Sequence, residues 1–294
     1  MNVSIIIPNY NGKELLENNI PSVIKAYRNK KNNIKEVVVV DDASTDSSID
    51  FIKLNYPQIK IIKHKVNRGF SAAVNTGART AEGELLALLN NDVKPRVDFL
   101  TDVLPHFKNP RVFAVSLHEK GYGWANGMFK DGFIVHSGCQ EDDKSHTTFW
   151  ASGGSGVFRR SYWMLLGGFD EELFSPFYWE DVDICYRAAK KGWINLWEPK
   201  ANVIHQHEST IGKLSKRYKQ RIEERNQLLF IWKNLSSPIL MRKHIAGLLK
   251  RIGRHPGYLI IFMMAFSKFS KVLKARNKEK KESKVSDEAI FTKF

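Results

Sequence analysis

The stretch EVVVVDDASTDSS, residues 36–48, decides how the 294-residue chain is read. Val37 to Val40 leave no polar face, so Glu36 to Asp41 reads as a short β-branched strand covered on both sides, as strands of parallel sheets are. It ends on two carboxylates, Asp41 and Asp42, and in the polar run that follows Ser44 or Thr45 can cap a helix. Strand, acidic turn and helix in that order is the α/β pattern.

Outward from this stretch the alternation continues. Val3 to Pro8 (VSIIIP) predicts a buried strand, residues 13–28 a first crossover helix, Ile59 to His64 a third strand and GFSAAVNTGARTAEG (69–83) a further helix. ELLALLNND (84–92) is a strand running into a polar turn. Ligands of an open parallel sheet sit beyond the carboxyl ends of its strands, so Asp41-Asp42 and Asn90-Asn91-Asp92 are expected to face one crevice. From about residue 112 the pattern loosens into loops rich in glycine and aromatics, GYGWANGMF (121–129) and ASGGSGVF (151–158), which suit a cover over substrate. Helices are predicted at 181–191, ending before Gly192, at 215–233, and once or twice over 238–276 with a break near His255-Pro256-Gly257. The last 20 or so residues read as poorly ordered.

With 43% hydrophobic and 12% aromatic residues the chain can bury a core. Its net charge of +15 is uneven: residues 1–210 hold 25 basic and 25 acidic side chains, residues 211–294 hold 21 and 6. A neutral front argues against a nucleic-acid groove across the main domain, and no nucleic-acid partner is expected. Cys139 and Cys185 form neither a CxxC motif nor a ligand cluster. The apolar run of MNVSIIIPNY stops at Pro8, so no secretory signal is expected and a cytoplasmic location is.

Four groups could carry chemistry. Asp42, past a buried strand, can bind a base imide or a ribose hydroxyl, although a capping aspartate gives the same pattern. Asp92 among amides offers hard oxygens to Mg2+ or Mn2+, and a polar turn is the plain alternative. Glu180, Asp181 and Asp183 open a helix, where acidic residues are favoured anyway, but Tyr178 and Trp179 wall Glu180 and Asp181 as a general base requires. Asp183 can cap the helix or face solvent. His205 and His207 share a strand face, and either can reach a metal or a diphosphate.

In this order, the segments VSIIIPNYNG, VVVVDDASTDSS, NRGFSAAVNTGARTAEGELLALLNND, GGFDEELFSPFYWEDVDICYRAAKKGW and VIHQHEST resemble the family 2 glycosyltransferases of GT-A fold, and within them the rhamnosyltransferase-like branch of bacterial surface polysaccharide synthesis. The resemblance covers roughly residues 1–235. It implies a Rossmann-like, mostly parallel sheet flanked by helices, with a C-terminal helical extension. It also implies an inverting transfer of rhamnose or another hexose from a UDP- or dTDP-linked donor to a hydroxyl of a saccharide or polyprenyl-linked saccharide. By position, Asp42 matches the base-contacting carboxylate, Pro8 and Tyr10 the loop beneath the nucleotide, and Arg68, Asn75 and Asn91 the donor side. Asp92 matches the metal-ligating end of the DxD motif, here reduced to one carboxylate by Asn90 and Asn91, and His205 a residue near metal and diphosphate. Asp181, with Glu180 beside it, matches the general base, and Gly153, Gly154 and Trp179 the acceptor side. A non-catalytic nucleotide-sugar binder would not require Asp42, Asp92 and Asp181 together, and a nucleotidyltransferase needs a glycine-rich phosphate loop that is not found.

The chain then divides into a catalytic domain (1–235), a membrane-associating helical extension (236–276) and a basic, disordered tail (277–294). GYLIIFMMAF (257–266) falls short of the ~20 residues that cross a bilayer, but beside KFSKVLKARNKEKKESK (268–284) it suits an interfacial helix on an anionic membrane surface. A packed helix with a solvated tail is the alternative. The enzyme is expected as a peripheral protein on the inner face of the cytoplasmic membrane.

Overall fold

Val37 to Val40 are each no more than 2% exposed, as a strand covered on both faces must be. In the computed structural model, which describes residues 1–205 and 214–294, they lie in the middle of a sheet. The first half of the chain runs β1 (Val3–Asn9), α1 (Lys13–Arg28), β2 (Ile34–Asp41), α2 (Ser48–Asn55), β3 (Lys60–Lys63), α3 (Phe70–Thr80), β4 (Leu85–Leu89) and β5 (Val93–Pro95). There follow β6 (Val112–Glu119), the hairpin β7 (Ala125–Lys130) and β8 (Phe133–Gly138), β9 (His146–Thr147), β10 (Ser155–Arg159), α4 (Arg160–Leu166), α5 (Glu180–Lys190) and β11 (Ile194–His205). The last helices are α6 (Lys216–Asn234), α7 (Pro238–Arg254), α8 (Tyr258–Phe266), α9 (Phe269–Glu282) and α10 (Asp287–Phe291).

The strand order is β3-β2-β1-β4-β10-β6-β11-β5, with β9 against β11 and the β7–β8 hairpin separate. The first four strands are parallel, and β6 is parallel to β11. The mostly parallel expectation holds through β3-β2-β1-β4 and for the β6–β11 pair, and fails at β10, β5 and β9. β10 enters between β4 and β6 antiparallel to both, because the excursion through 120–154 leaves and returns at the same edge of the sheet. Strand alternation sorts the core: Ile5, Ile7, Val37 and Val39 pack with Leu16 and Ile20 of α1, while Ile6, Val38 and Val40 pack with Ala73 and Val74 of α3 and Ile184 of α5.

The C-terminal region departs from expectation twice. Residues 238–276 form three helices, with a second break at Ser267-Lys268 where the Lys268 ammonium leaves its helix to donate to the carbonyls of Glu172 (2.5 Å) and Leu173 (3.0 Å). Residues 277–294 are not a loose tail. Asp287, fully buried, accepts from Tyr186 Oη (2.6 Å), the backbone N–H groups of Ser236 (2.7 Å) and Ser237 (2.6 Å) and the Lys190 ammonium (2.5 Å). Phe291 and Phe294 then pack on the Phe149 ring. A sequence window rich in lysine hides one buried carboxylate and three apolar side chains, Ile290 among them, that together bind it to α5.

Candidate active site at the carboxyl edge of the sheet

Since β1, β2, β4, β6 and β11 point the same way, the strand ends at Asn9, Asp41, Leu89, Glu119 and His205 meet at one edge of the sheet, and antiparallel β10 starts there. A continuous run of contacts then crosses that edge. Asn9 Nδ2 donates to Asp41 Oδ1 (3.4 Å), Asn91 Nδ2 donates to Asn9 Oδ1 (2.9 Å), and Asn90 N–H donates to the Gly154 carbonyl (2.8 Å). Gly153 N–H completes it by donating to Asp181 Oδ2 (3.2 Å). Two glycines make the approach possible: a Cβ at Gly12 would lie 2.2 Å from Asn91 Nδ2, and one at Gly154 2.5 Å from Asn90 Nδ2.

At the β2 end the Asp42 carboxylate takes the backbone N–H groups of Arg68 (2.9 and 3.1 Å) and Gly69 (2.7 Å) and the His64 Nδ1–H (2.7 Å). It is 3% exposed and shapes the turn ahead of α3. Pro8 sits in β1 opposite Val40, and Tyr10, just past the strand, is 44% exposed and open to a ligand. Arg68 extends to Glu171 (2.9 Å). Asn75 stands apart from the edge: it is 3% exposed and spends its amide on Phe169 N–H, Phe169 O and Glu171 Oε1. It fastens the 167–171 loop to α3 and is not free to touch a donor.

At the β4 end Asp92 Oδ1 lies 3.1 Å from His205 Nε2, and His205 Nδ1 lies 3.4 Å from Glu119 Oε2. Burial lowers the His205 pKa, but the hydrogen bond and charge of Asp92, with the charge of Glu119, outweigh it and raise the net value. One carboxylate and one imidazole suit a hard or borderline divalent ion only when other oxygens complete the shell; no group of three metal-ligating side chains forms among the described residues. The expectation for His207 lies outside the described residues.

At the third corner α5 begins abruptly. Tyr178 and Trp179 have φ of 71° and 77°, a left-handed pair that only strong surroundings hold. Asn226 of α6, fully buried, supplies them: its side-chain amide donates at 2.9 Å to the carbonyls of Phe174, Phe177 and Tyr178. Trp179 is buried, and Asp181 is partly exposed beside Gly153. Burial raises the Asp181 pKa against the pull of the Gly153 and Val182 N–H groups. Glu180 is 8% exposed, its Oε2 has no hydrogen-bond partner among the described residues, and burial together with the Asp181 charge pushes it up to about 8. Asp183 neither caps nor faces solvent. It is fully buried, accepting from Arg187 Nε (2.8 Å), Lys233 Nζ (2.9 Å) and Asn234 Nδ2 (2.8 Å).

A raised carboxyl pKa costs folding stability over a defined window. Below the ordinary 4.5 both folded and unfolded Glu180 carry the proton; between 4.5 and about 8 only the folded form does, so stability falls as pH rises. Glu180→Gln is expected to melt higher than the parent by a margin that grows from pH 4.5 to 8 and closes below 4.5. Parallel melting curves across that range would refute the assignment.

Sequence reasoning missed Glu119, Asn226, His64 and Glu171. Glu119 carries the same signal as Asp41, an apolar strand (VFAVSLHE) ending on a carboxylate. Asn226 lies in a helix whose C-terminal half is buried nearly all round, and gives no such signal.

A family model described as glycosyl transferase family 2 matches residues 4–166. The pre-mycofactocin glycosyltransferase of Mycobacterium tuberculosis is 31% identical over 60% of this chain and 38% of its own length, so the chain spans well under half of that relative. The N-acetylglucosaminyl-diphospho-decaprenol L-rhamnosyltransferase of the same organism is 26% identical over 60% of this chain and 68% of its own. Among solved structures, GalNAc-T7 with UDP, GalNAc and Mn2+ superposes with a TM-score of 0.65 at 18% identity, covering 88% of this chain and 57% of that one. The α/β fold is therefore the GT-A fold.

Proposed function

The chain belongs to glycosyl transferase family 2, and from that premise we propose that the carboxyl edge of its sheet transfers a hexosyl group from a nucleoside-diphosphate sugar to an acceptor hydroxyl with inversion. The observation that carries this reading is the unbroken contact path from Asp41 through Asn9, Asn91, Asn90 and Gly154 to Gly153 and Asp181. Nucleotide, diphosphate and acceptor have adjoining places along it.

In the proposed step the acceptor oxygen attacks the anomeric carbon, the bond from that carbon to the diphosphate oxygen breaks, and the acceptor proton passes to Asp181. Burial serves this role by raising the Asp181 pKa above the ordinary carboxylate value, and Glu180 next to it, pushed up to about 8, leaves Asp181 as the ionised partner of the pair. The Asp42-ordered turn and Tyr10 receive the nucleoside. Asp92 and His205 would hold a divalent cation, which when bound offsets charge on the leaving diphosphate; the Mn2+ in the GalNAc-T7 structure supports this. The decaprenol-linked relative supports a lipid-linked saccharide acceptor in surface polysaccharide synthesis. Among the described residues no helix is long and apolar enough to cross a membrane, so we place contact with such an acceptor on the basic C-terminal helices.

Purified protein is to be incubated with a panel of UDP-, dTDP- and GDP-sugars and assayed for nucleoside diphosphate release. Release that requires Mg2+ or Mn2+ with at least one donor is the expected result. Binding of a donor with no release under any metal would instead favour the non-catalytic nucleotide-sugar binder.

A further inference from the structure

A second concentration of charge lies where the β7–β8 turn meets α7. Asp131 and Gly132 turn at φ of 51° and 85°, and the turn presses so close to the helix that a Cβ at Gly132 would lie 2.8 Å from the Lys243 carbonyl oxygen. His244, 1% exposed, fastens the joint: its Nδ1–H donates to the Gly132 carbonyl (2.7 Å), and its Nε2 accepts from the Trp232 indole N–H (2.9 Å). Beside this joint opens a cleft of about 660 Å³ lined by Lys243, Lys250, Arg251, Arg254 and His255, with Asp131 the one acid among the described lining residues. The Arg251 guanidinium is held 3.6 Å from the centre of the Phe133 ring and 5.2 Å from that of Tyr258, while Lys243, Lys250 and Arg254 are exposed.

The charge extends well beyond the cleft. Residues 238–278 contain ten Lys and Arg and no Asp or Glu. Three residues past His255, α8 begins, and it leaves Leu259, Ile260, Met263 and Phe266 at 49%, 49%, 54% and 49% exposure. A soluble anion would answer the cations but not these half-exposed apolar side chains; a lipid offers a phosphate and hydrocarbon side by side.

We propose that this cleft seats the phosphate headgroup of a membrane lipid, with α8 lying in the interface next to it. The site rests on the membrane-surface reading given above and makes it specific: a pinned guanidinium with flexible Lys and Arg around it suits a phosphate's several oxygens. Deleting the C-terminal segment cannot test this, because Asp287 and Phe291 hold α5 in place. Charge reversal can.

Full-length protein is sedimented with vesicles of phosphatidylcholine alone or containing phosphatidic acid. Lys250→Glu with Arg254→Glu is compared with Lys280→Glu and Lys281→Glu, an equal charge change on α9 outside the cleft. Binding to the phosphatidic acid vesicles is expected to weaken at least about tenfold in the cleft pair and about threefold or less in the α9 pair. Equal weakening of both pairs overturns the headgroup site while leaving the membrane reading intact. No vesicle binding by the parent protein overturns both. Uptake of inorganic diphosphate in the cleft without vesicle binding identifies a free anion as its ligand and overturns the lipid. Donor hydrolysis in detergent, measured on the same variants, reports on the proposed transferase separately.

Discussion

Asp181→Asn is expected to lower turnover by ~10²- to 10⁴-fold, the usual worth of a general base, while leaving donor affinity within about twofold. Asparagine preserves the shape of the side chain and an oxygen for the Gly153 N–H at 3.2 Å, so the loop that Asp181 touches keeps its anchor. What disappears is the carboxylate proposed to take the acceptor proton. Donor binding by calorimetry and turnover by nucleoside diphosphate release separate the two effects. Turnover within threefold of the parent enzyme would remove Asp181 from the mechanism, since no other partly exposed carboxylate touches the Gly153 loop among the described contacts.

Two positions further along the same helix, Asp183→Ala is expected to damage stability, with a loss of about 3–5 kcal/mol. Asp183 is fully buried between Arg187 and Lys233, whose charge it shares with Asp170, 2.9 Å from Lys233, and with the more distant Glu279. Removing it strands positive charge in a site that water does not reach. Arg187 also donates to the carbonyls of Leu166 and Gly168 (2.7 Å each), so the damage spreads to the loop that Asn75 fastens. Chemical denaturation of the variant measures the loss; a change under 1 kcal/mol would show that the network carries little net stability, which is possible only if the charges relax into solvent.

These two aspartates show where sequence reading stops. Asp181 and Asp183 belong to one acidic run at a helix start, and the helix dipole favours both alike. A helix turns 100° per residue, so two positions separate their faces widely, but which face meets the cleft depends on α6 packing against α5. Glu119 was legible in principle, as an apolar strand closing on a carboxylate. Asn75 was legible as important and misplaced in role, since its match to a donor-side segment does not reveal that Phe169 and Glu171 consume its amide. The α10 segment was hidden by composition: lysines around it suggested solvation, and its burial comes from a single carboxylate answering Tyr186, Lys190 and two backbone N–H groups over 50 residues or more away.

By itself the sequence determined the α/β order of the first 92 residues and the strand ends that carry Asp42 and Asp92, because buried strands and amphipathic helices are written in local periodicity, while the family came from the resemblance of its motifs. Only the tertiary structure decided that β10 enters antiparallel, that Asp181 reaches Gly153 while Asp183 vanishes into a charge network, and that the C-terminus returns to clamp α5. Those outcomes depend on contacts between residues far apart in the chain, whose geometry no local pattern encodes.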